Sequence, residues 1–215
     1  GMGATRSMGT TLTCACIIGA AMTLLHVGDS RCYRLRKGKL ARLTTDHTMA
    51  QRLAEEGALN AAQAAASPFA HVLWNSISSA PSSELKPQLV MEPLQPRDVL
   101  LLCTDGLTKH LDDKRIAQVL KEKTDARARA EKLVAEARDK GGTDNITALL
   151  VRIDAIVDGE PASKGAKDLE DGPDVVTDSY LHSMMMAGIV AAHETTANAA
   201  ANAIKLLLQH PRVWR

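Results

Sequence analysis

Gly141-Gly142-Thr143-Asp144-Asn145-Ile146-Thr147 ends a charged segment with two glycines, presents one carboxylate and runs straight into the apolar stretch 148–153. A helix that stops on glycine and a strand that begins a few residues later leave one short turn between them, so the Asp is displayed at a strand end. The same device occurs upstream. There Val99-Leu100-Leu101-Leu102-Cys103 reads as a buried strand and halts at Thr104-Asp105-Gly106, where the glycine permits a sharp turn. A third instance is Asp29 in His26-Val27-Gly28-Asp29-Ser30-Arg31. Singly, an Asp beside a Gly is ordinary turn chemistry, its side chain accepting local backbone hydrogen bonds. Three at strand ends suggest an oxygen-lined site for a hard cation, Mg²⁺ or Mn²⁺.

The pattern between these points predicts short antiparallel strands over 11–18, 22–27, 32–36 and 39–43, the last two joined by the Lys37-Gly38 turn. A helix is expected over 48–56, closed by Gly57 and capped by Asp46 or Thr48. Ala-rich 59–69 reads as a surface helix. Beyond the strand 99–103, helices over 112–121 and 124–140 precede the strand that follows Asp144. Strands, then helices, then a final strand indicate an α+β fold rather than alternating βαβ units. Past Asp154 the composition turns polar and rich in Gly and Pro, giving a linker over 155–176, and a helical pattern covers 175–209 with Pro211 as its stop. The expected organisation is therefore a domain over 1–154, the linker, and a helical segment over 177–215.

Charge excludes some functions. The formal net charge is +1 with acidic and basic residues interspersed, which leaves no basic stripe for nucleic acid. No apolar run is long enough to span a bilayer, so no membrane partner is expected. Cys14, Cys16, Cys32 and Cys103 form no Cys-x-x-Cys pair and read as small buried thiols, which points to a reducing, cytoplasmic setting.

In order along the chain, Thr10-Thr11, Gly28-Asp29-Ser30-Arg31, Leu43-Thr44-Thr45-Asp46-His47, Thr104-Asp105-Gly106 and Gly142-Thr143-Asp144-Asn145-Ile146-Thr147 resemble the metal-dependent type 2C protein serine/threonine phosphatases, over roughly 1–154. The resemblance implies a β-sandwich flanked by helices and a metal-bound hydroxide that attacks phosphoserine or phosphothreonine of a phosphoprotein. It further implies that Asp105 and Asp144 are direct ligands of a Mn²⁺ or Mg²⁺ pair, with Asp29 and Asp105 holding a looser third ion. Asp46-His47 would belong to a structural turn, His110 is read as incidental, and Arg31 is expected in a salt bridge within its turn. The family's amino-terminal acidic residue, its phosphate-gripping Arg and its Asp-Gly turn bridging the metals have no counterpart here. The sandwich is accordingly expected to be incomplete, as in a chain that has lost its first part, with weak or negligible turnover. Unpaired sheet edges then leave room for self-association.

The last forty or so residues resemble something else. Ala187-Gly188-Ile189-Val190-Ala191-Ala192-His193-Glu194-Thr195-Thr196 looks like the oxygen-activating helix of cytochrome haem-thiolate monooxygenases, yet no Cys-bearing haem loop accompanies it. Three functions thus stand side by side: a metal-dependent protein phosphatase, an inactive fragment that binds metal or phosphoprotein, and a haem monooxygenase piece without its haem loop.

Overall fold

The computed structural model describes residues 9–78, 85–156 and 185–189. Its centre is the strand β8 (Val99–Cys103), in which all five residues are buried. Alternation explains why an uninterrupted apolar run suits this place. Val99, Leu101 and Cys103 face a helical layer, whereas Leu100 and Leu102 face a second sheet, so both sides of the strand are covered.

β8 lies in a four-stranded antiparallel sheet ordered β5-β4-β8-β9, with β4 (Arg31–Arg36), β5 (Lys39–Arg42) and β9 (Ala148–Arg152). The facing sheet is ordered β10-β2-β3-β7 and contains β2 (Leu12–Ile18), β3 (Ala21–Val27), β7 (Gln88–Pro93) and β10 (Met185–Ile189). Ala15, Met22 and Leu24 from this sheet meet Cys32, Leu100 and Leu102 from the other, with Leu94 beside them, to form the core of a sandwich. A small two-stranded ladder joins β1 (Gly9–Thr10) to β6 (Ile77–Ser78).

The helical layer covers the outer face of the β8 sheet. It comprises α3 (Asp105–Thr108), α4 (Asp113–Leu120) and α5 (Ala126–Asp139), whose Leu107, Ile116, Val119, Leu120, Leu133 and Ala137, with Leu111 from the α3–α4 connection, pack on Tyr33, Leu35 and Leu101. Each longer helix starts on a short acidic cap: Asp112 accepts from the Arg115 amide at 2.7 Å and Asp125 from the Ala128 amide at 2.6 Å. Earlier in the chain, α1 (Met49–Glu55) is capped by Thr48, and α2 (Ala61–Ala65) by a reciprocal Asn60–Gln63 box. The α+β sandwich expected from sequence is what forms.

In the sheets, two of the longer strands differ from expectation. The strand β7 carries no clean alternation and ends in Pro93, so its sequence did not announce it; it forms because β3 offers an edge across six residue pairs. Within the segment expected to be helical over 177–215, Met185–Ile189 is a strand, paired antiparallel with β2 from Met185↔Ile17 to Ile189↔Thr13. Helix propensity in this Met- and Ala-containing stretch is a weak local preference. The open edge of β2 supplies a full set of backbone partners, and tertiary pairing overrides the preference. The remainder of that segment, Glu194 and Thr195 included, and the linker expected over 155–176 lie outside the described residues, save Ala155 and Ile156. Ile156 packs on the sandwich core.

Candidate metal centre

Asp105 opens α3 directly after β8, and Asp144 sits in the turn between α5 and β9, so the pairing of β8 with β9 carries both to one end of the sheet. Thr104 locks the two together. Its hydroxyl donates to the Asn145 carbonyl at 2.9 Å and accepts from the Thr147 amide at 3.0 Å, while its own amide reaches the Thr147 carbonyl at 3.2 Å. Close approach is possible because residue 106 lacks a side chain. A Cβ there would stand 2.4 Å from the Asn145 carbonyl oxygen and 3.4 Å from Asp144 Cβ.

The two carboxylates converge on one positive charge. Lys109 Nζ lies 2.7 Å from Asp105 Oδ2 and 2.6 Å from Asp144 Oδ2. The two oxygens are therefore separated by no more than the sum of those distances. Burial would lower the Lys109 pKa, but its hydrogen bonds to Asp105 and Asp144 outweigh burial and raise it. The Asp105–Lys109 spacing, one turn along a helix, was visible in the sequence as an (i, i+4) pair; the partnership with Asp144, thirty-five residues on, was not.

Asp29 occupies the turn between β3 and β4 and lines the same cavity as Asp105 and Lys109. Burial first, then the neighbouring Asp105 and Asp46 carboxylates, push it up to about 6. Gly28 makes this turn possible. Its φ is 109°, and a Cβ would overlap Thr11 Cγ2 at 2.3 Å. The turn is further tied to His47, whose amide donates to the Gly28 carbonyl at 2.7 Å and whose Nδ1 accepts from the Gly28 amide at 3.1 Å. His47 is thus a structural residue of the Asp29 turn, its ring tilted against those of His26 and Trp74.

Arg31 does form a salt bridge, but with Asp46 rather than within its own turn. Its Nε lies 2.9 and 3.1 Å from the two Asp46 oxygens and its Nη2 is 2.6 Å from Oδ2. The His110 ring lies against Gly141, with Nε2 3.4 Å from Thr143 Oγ1, and so packs on the turn that carries Asp144. A cavity of about 930 Å³ is lined by Asp29, Asp105 and Lys109 together with Arg31, Arg42, Asp46 and residues of α1 and α2.

The donor chemistry suits a hard divalent cation: carboxylate oxygens, already gathered round a positive charge, with space beside them. Among the described residues no three His, Cys, Asp or Glu side chains form a closed cage. Two carboxylates gathered in this way offer the kind of partial shell that Mg²⁺ completes with water and phosphate oxygens.

The family model for protein phosphatase 2C matches residues 3–146. This chain belongs to the protein phosphatase 2C family. Among similar phosphatases, the serine/threonine phosphatase stp of Listeria monocytogenes serotype 4b (strain F2365) is 35% identical over 156 residues, covering 73% of this chain and 61% of the relative. PstP of Mycobacterium tuberculosis (strain ATCC 25618 / H37Rv) is 34% identical over 146 residues, covering 68% of this chain and 28% of PstP. Among solved structures, the S. agalactiae serine/threonine phosphatase superposes with a TM-score of 0.65 at 34% identity, covering 68% of this chain and 60% of that one. The catalytic domain of PstP, in complex with two manganese ions, gives 0.59 at 33% identity over 68% and 60% of the two chains. This protein phosphatase 2C chain thus spans about three fifths of the Listeria and S. agalactiae proteins.

Proposed function

We propose that the chain is a metal-dependent serine/threonine phosphatase that hydrolyses phosphoserine and phosphothreonine in a phosphoprotein, with Mn²⁺ or Mg²⁺ held by Asp105 and Asp144. The observation that carries this reading is the convergence of both carboxylates on the Lys109 ammonium, which marks a cation position at the mouth of a cavity. Membership of a family in which PstP binds two manganese ions supports the choice of ion.

A bound divalent ion supplies a more acidic water and neutralises phosphoryl oxygens. The chain's own residues do the rest. Asp105 and Asp144, on two elements clamped by Thr104, would hold the ion, and Asp29, which lines the same cavity as Asp105, would serve an accessory ion. The cavity has the size of a small-ligand site and admits a phosphorylated side chain. Arg31 is held by Asp46, so it shapes the wall rather than gripping phosphate.

We place this activity in the cytoplasm, a setting compatible with four buried, unpaired thiols. Among the described residues no helix is long and apolar enough to cross a membrane.

A second reading, an inactive module that binds metal or phosphoprotein, is favoured by one observation: the carboxylate pair already has an internal counter-ion and no third side-chain ligand among the described residues. Release of phosphate from a phosphoserine protein, with and without Mn²⁺, separates the two. Weak Mn²⁺-dependent turnover that Asp105→Asn and Asp144→Asn each abolish is expected. Mn²⁺ binding with no turnover would leave the second reading standing.

A further inference from the structure

Lys109 follows α3 directly, its amide bonded to the Asp105 carbonyl at 2.8 Å, so its side chain returns along the helix towards the carboxylate at the start of the same turn. Asp144 arrives from a different element, β9's leading turn, and yet meets the same nitrogen at 2.6 Å. Two anions brought this close repel each other, and the clamp at Thr104 leaves them no easy retreat. Among the described residues, the Lys109 ammonium is a positive group that reaches both.

We propose that the Lys109 ammonium is a resident counter-ion of the cation site, which holds Asp105 and Asp144 together in the metal-free protein and which a divalent cation must displace in order to bind. The proposal rests on the metal-binding reading given above and goes beyond it, since it assigns a role to a residue that is not a ligand. A small divalent ion binds carboxylate oxygen at about 2.0–2.1 Å, inside the distances at which the ammonium sits from the same two oxygens. Both cannot occupy the space. The flexible four-carbon stem of a lysine allows the exchange, because the freed head group can swing into the cavity that Lys109 already lines.

Displacement has a consequence for affinity. The ion must compete with an internal charge, so Lys109 weakens metal binding while it stabilises the metal-free fold. Because Lys109, Asp105 and Asp144 are each about a quarter exposed along their side chains, solvent moderates both effects.

The test uses the full chain, stripped of metal, as wild type and as Lys109→Met, which keeps the length of the stem and removes the charge. Mn²⁺ affinity is measured by calorimetry and thermal unfolding is followed with and without the ion. Lys109→Met is expected to bind Mn²⁺ roughly tenfold more tightly, to melt lower than wild type without metal, and to recover most of that difference at saturating Mn²⁺. Independently of any variant, acetylation of Lys109 in the wild-type chain, read by mass spectrometry, should run several-fold faster once Mn²⁺ has saturated the site. Equal Mn²⁺ affinity in the two proteins, or an unchanged acetylation rate at saturation, overturns the counter-ion role and leaves the metal reading intact. Failure of both proteins to bind Mn²⁺ overturns the metal reading and this inference together. If Lys109→Met does not fold, the acetylation measurement on the wild type decides.

Discussion

Asp29 is a carboxylate held where folding alone would not put one, desolvated and beside Asp105, and that cost belongs to the metal-free protein. Replacing it by Asn removes the charge and keeps the shape, so Asp29→Asn should raise stability to urea at pH 7.5 by about 1–2 kcal/mol after allowance for partial exposure. A variant no more stable than wild type would show that the charge is already compensated. His26 carries the opposite sign. It is fully buried, with its ring nitrogens 3.0 Å from the Thr45 carbonyl and 2.9 Å from the Thr13 hydroxyl, and burial together with His47 lowers it to about 4. Between that value and the unfolded one near 6.5 the unfolded chain binds the extra proton, so stability falls as pH drops through this window, by up to about 3 kcal/mol. Denaturation curves from pH 7 to pH 4 should be recorded in the Asp29→Asn background, where the carboxyl that titrates in the same range with opposite sign is gone. Gly106 is a steric matter: Gly106→Ala drives a methyl into the Asn145 carbonyl and should destabilise the fold by about 2–3 kcal/mol despite alanine's better helix propensity. Unaltered urea midpoints would mean that the 144–145 turn yields freely.

At the scale of elements, β8 was readable because both its faces are covered, and covered strands are apolar throughout. The long helix α5 was readable from its charges and the two glycines after it, although it starts on an Asp125 cap inside the expected span 124–140. β7 and β10 were not, since each owes its existence to an edge offered by the facing sheet rather than to its own pattern. A chain lacking 185–189 would leave the edge of β2 unpaired. Such a deletion is expected to shift the protein towards dimers or larger species in light scattering, because an uncovered strand pairs with whatever strand it meets. A deletion variant as monomeric as the intact chain would show that β2 needs no cover.

For the molecule as a whole, the sandwich brings the ends of β3 and β8 to one cavity and the turn before β9 to the Lys109 that lines it, and the metal reading makes a global demand. Saturating Mn²⁺ should raise the melting temperature of the wild type by several degrees, as binding to the native state alone requires, and should leave Asp105→Asn unmoved. Equal shifts in both would place the ion elsewhere. The sequence by itself determined the family and the α+β class and singled out three strand-end aspartates as candidates, because carboxylates beside glycines are local patterns that survive without neighbours. Only the tertiary structure decided that Asp46 takes Arg31, that Lys109 joins Asp105 to Asp144, and that Met185–Ile189 is a strand. Each of those depends on groups far apart in the chain, whose meeting follows from sheet order and register, and no local preference encodes them.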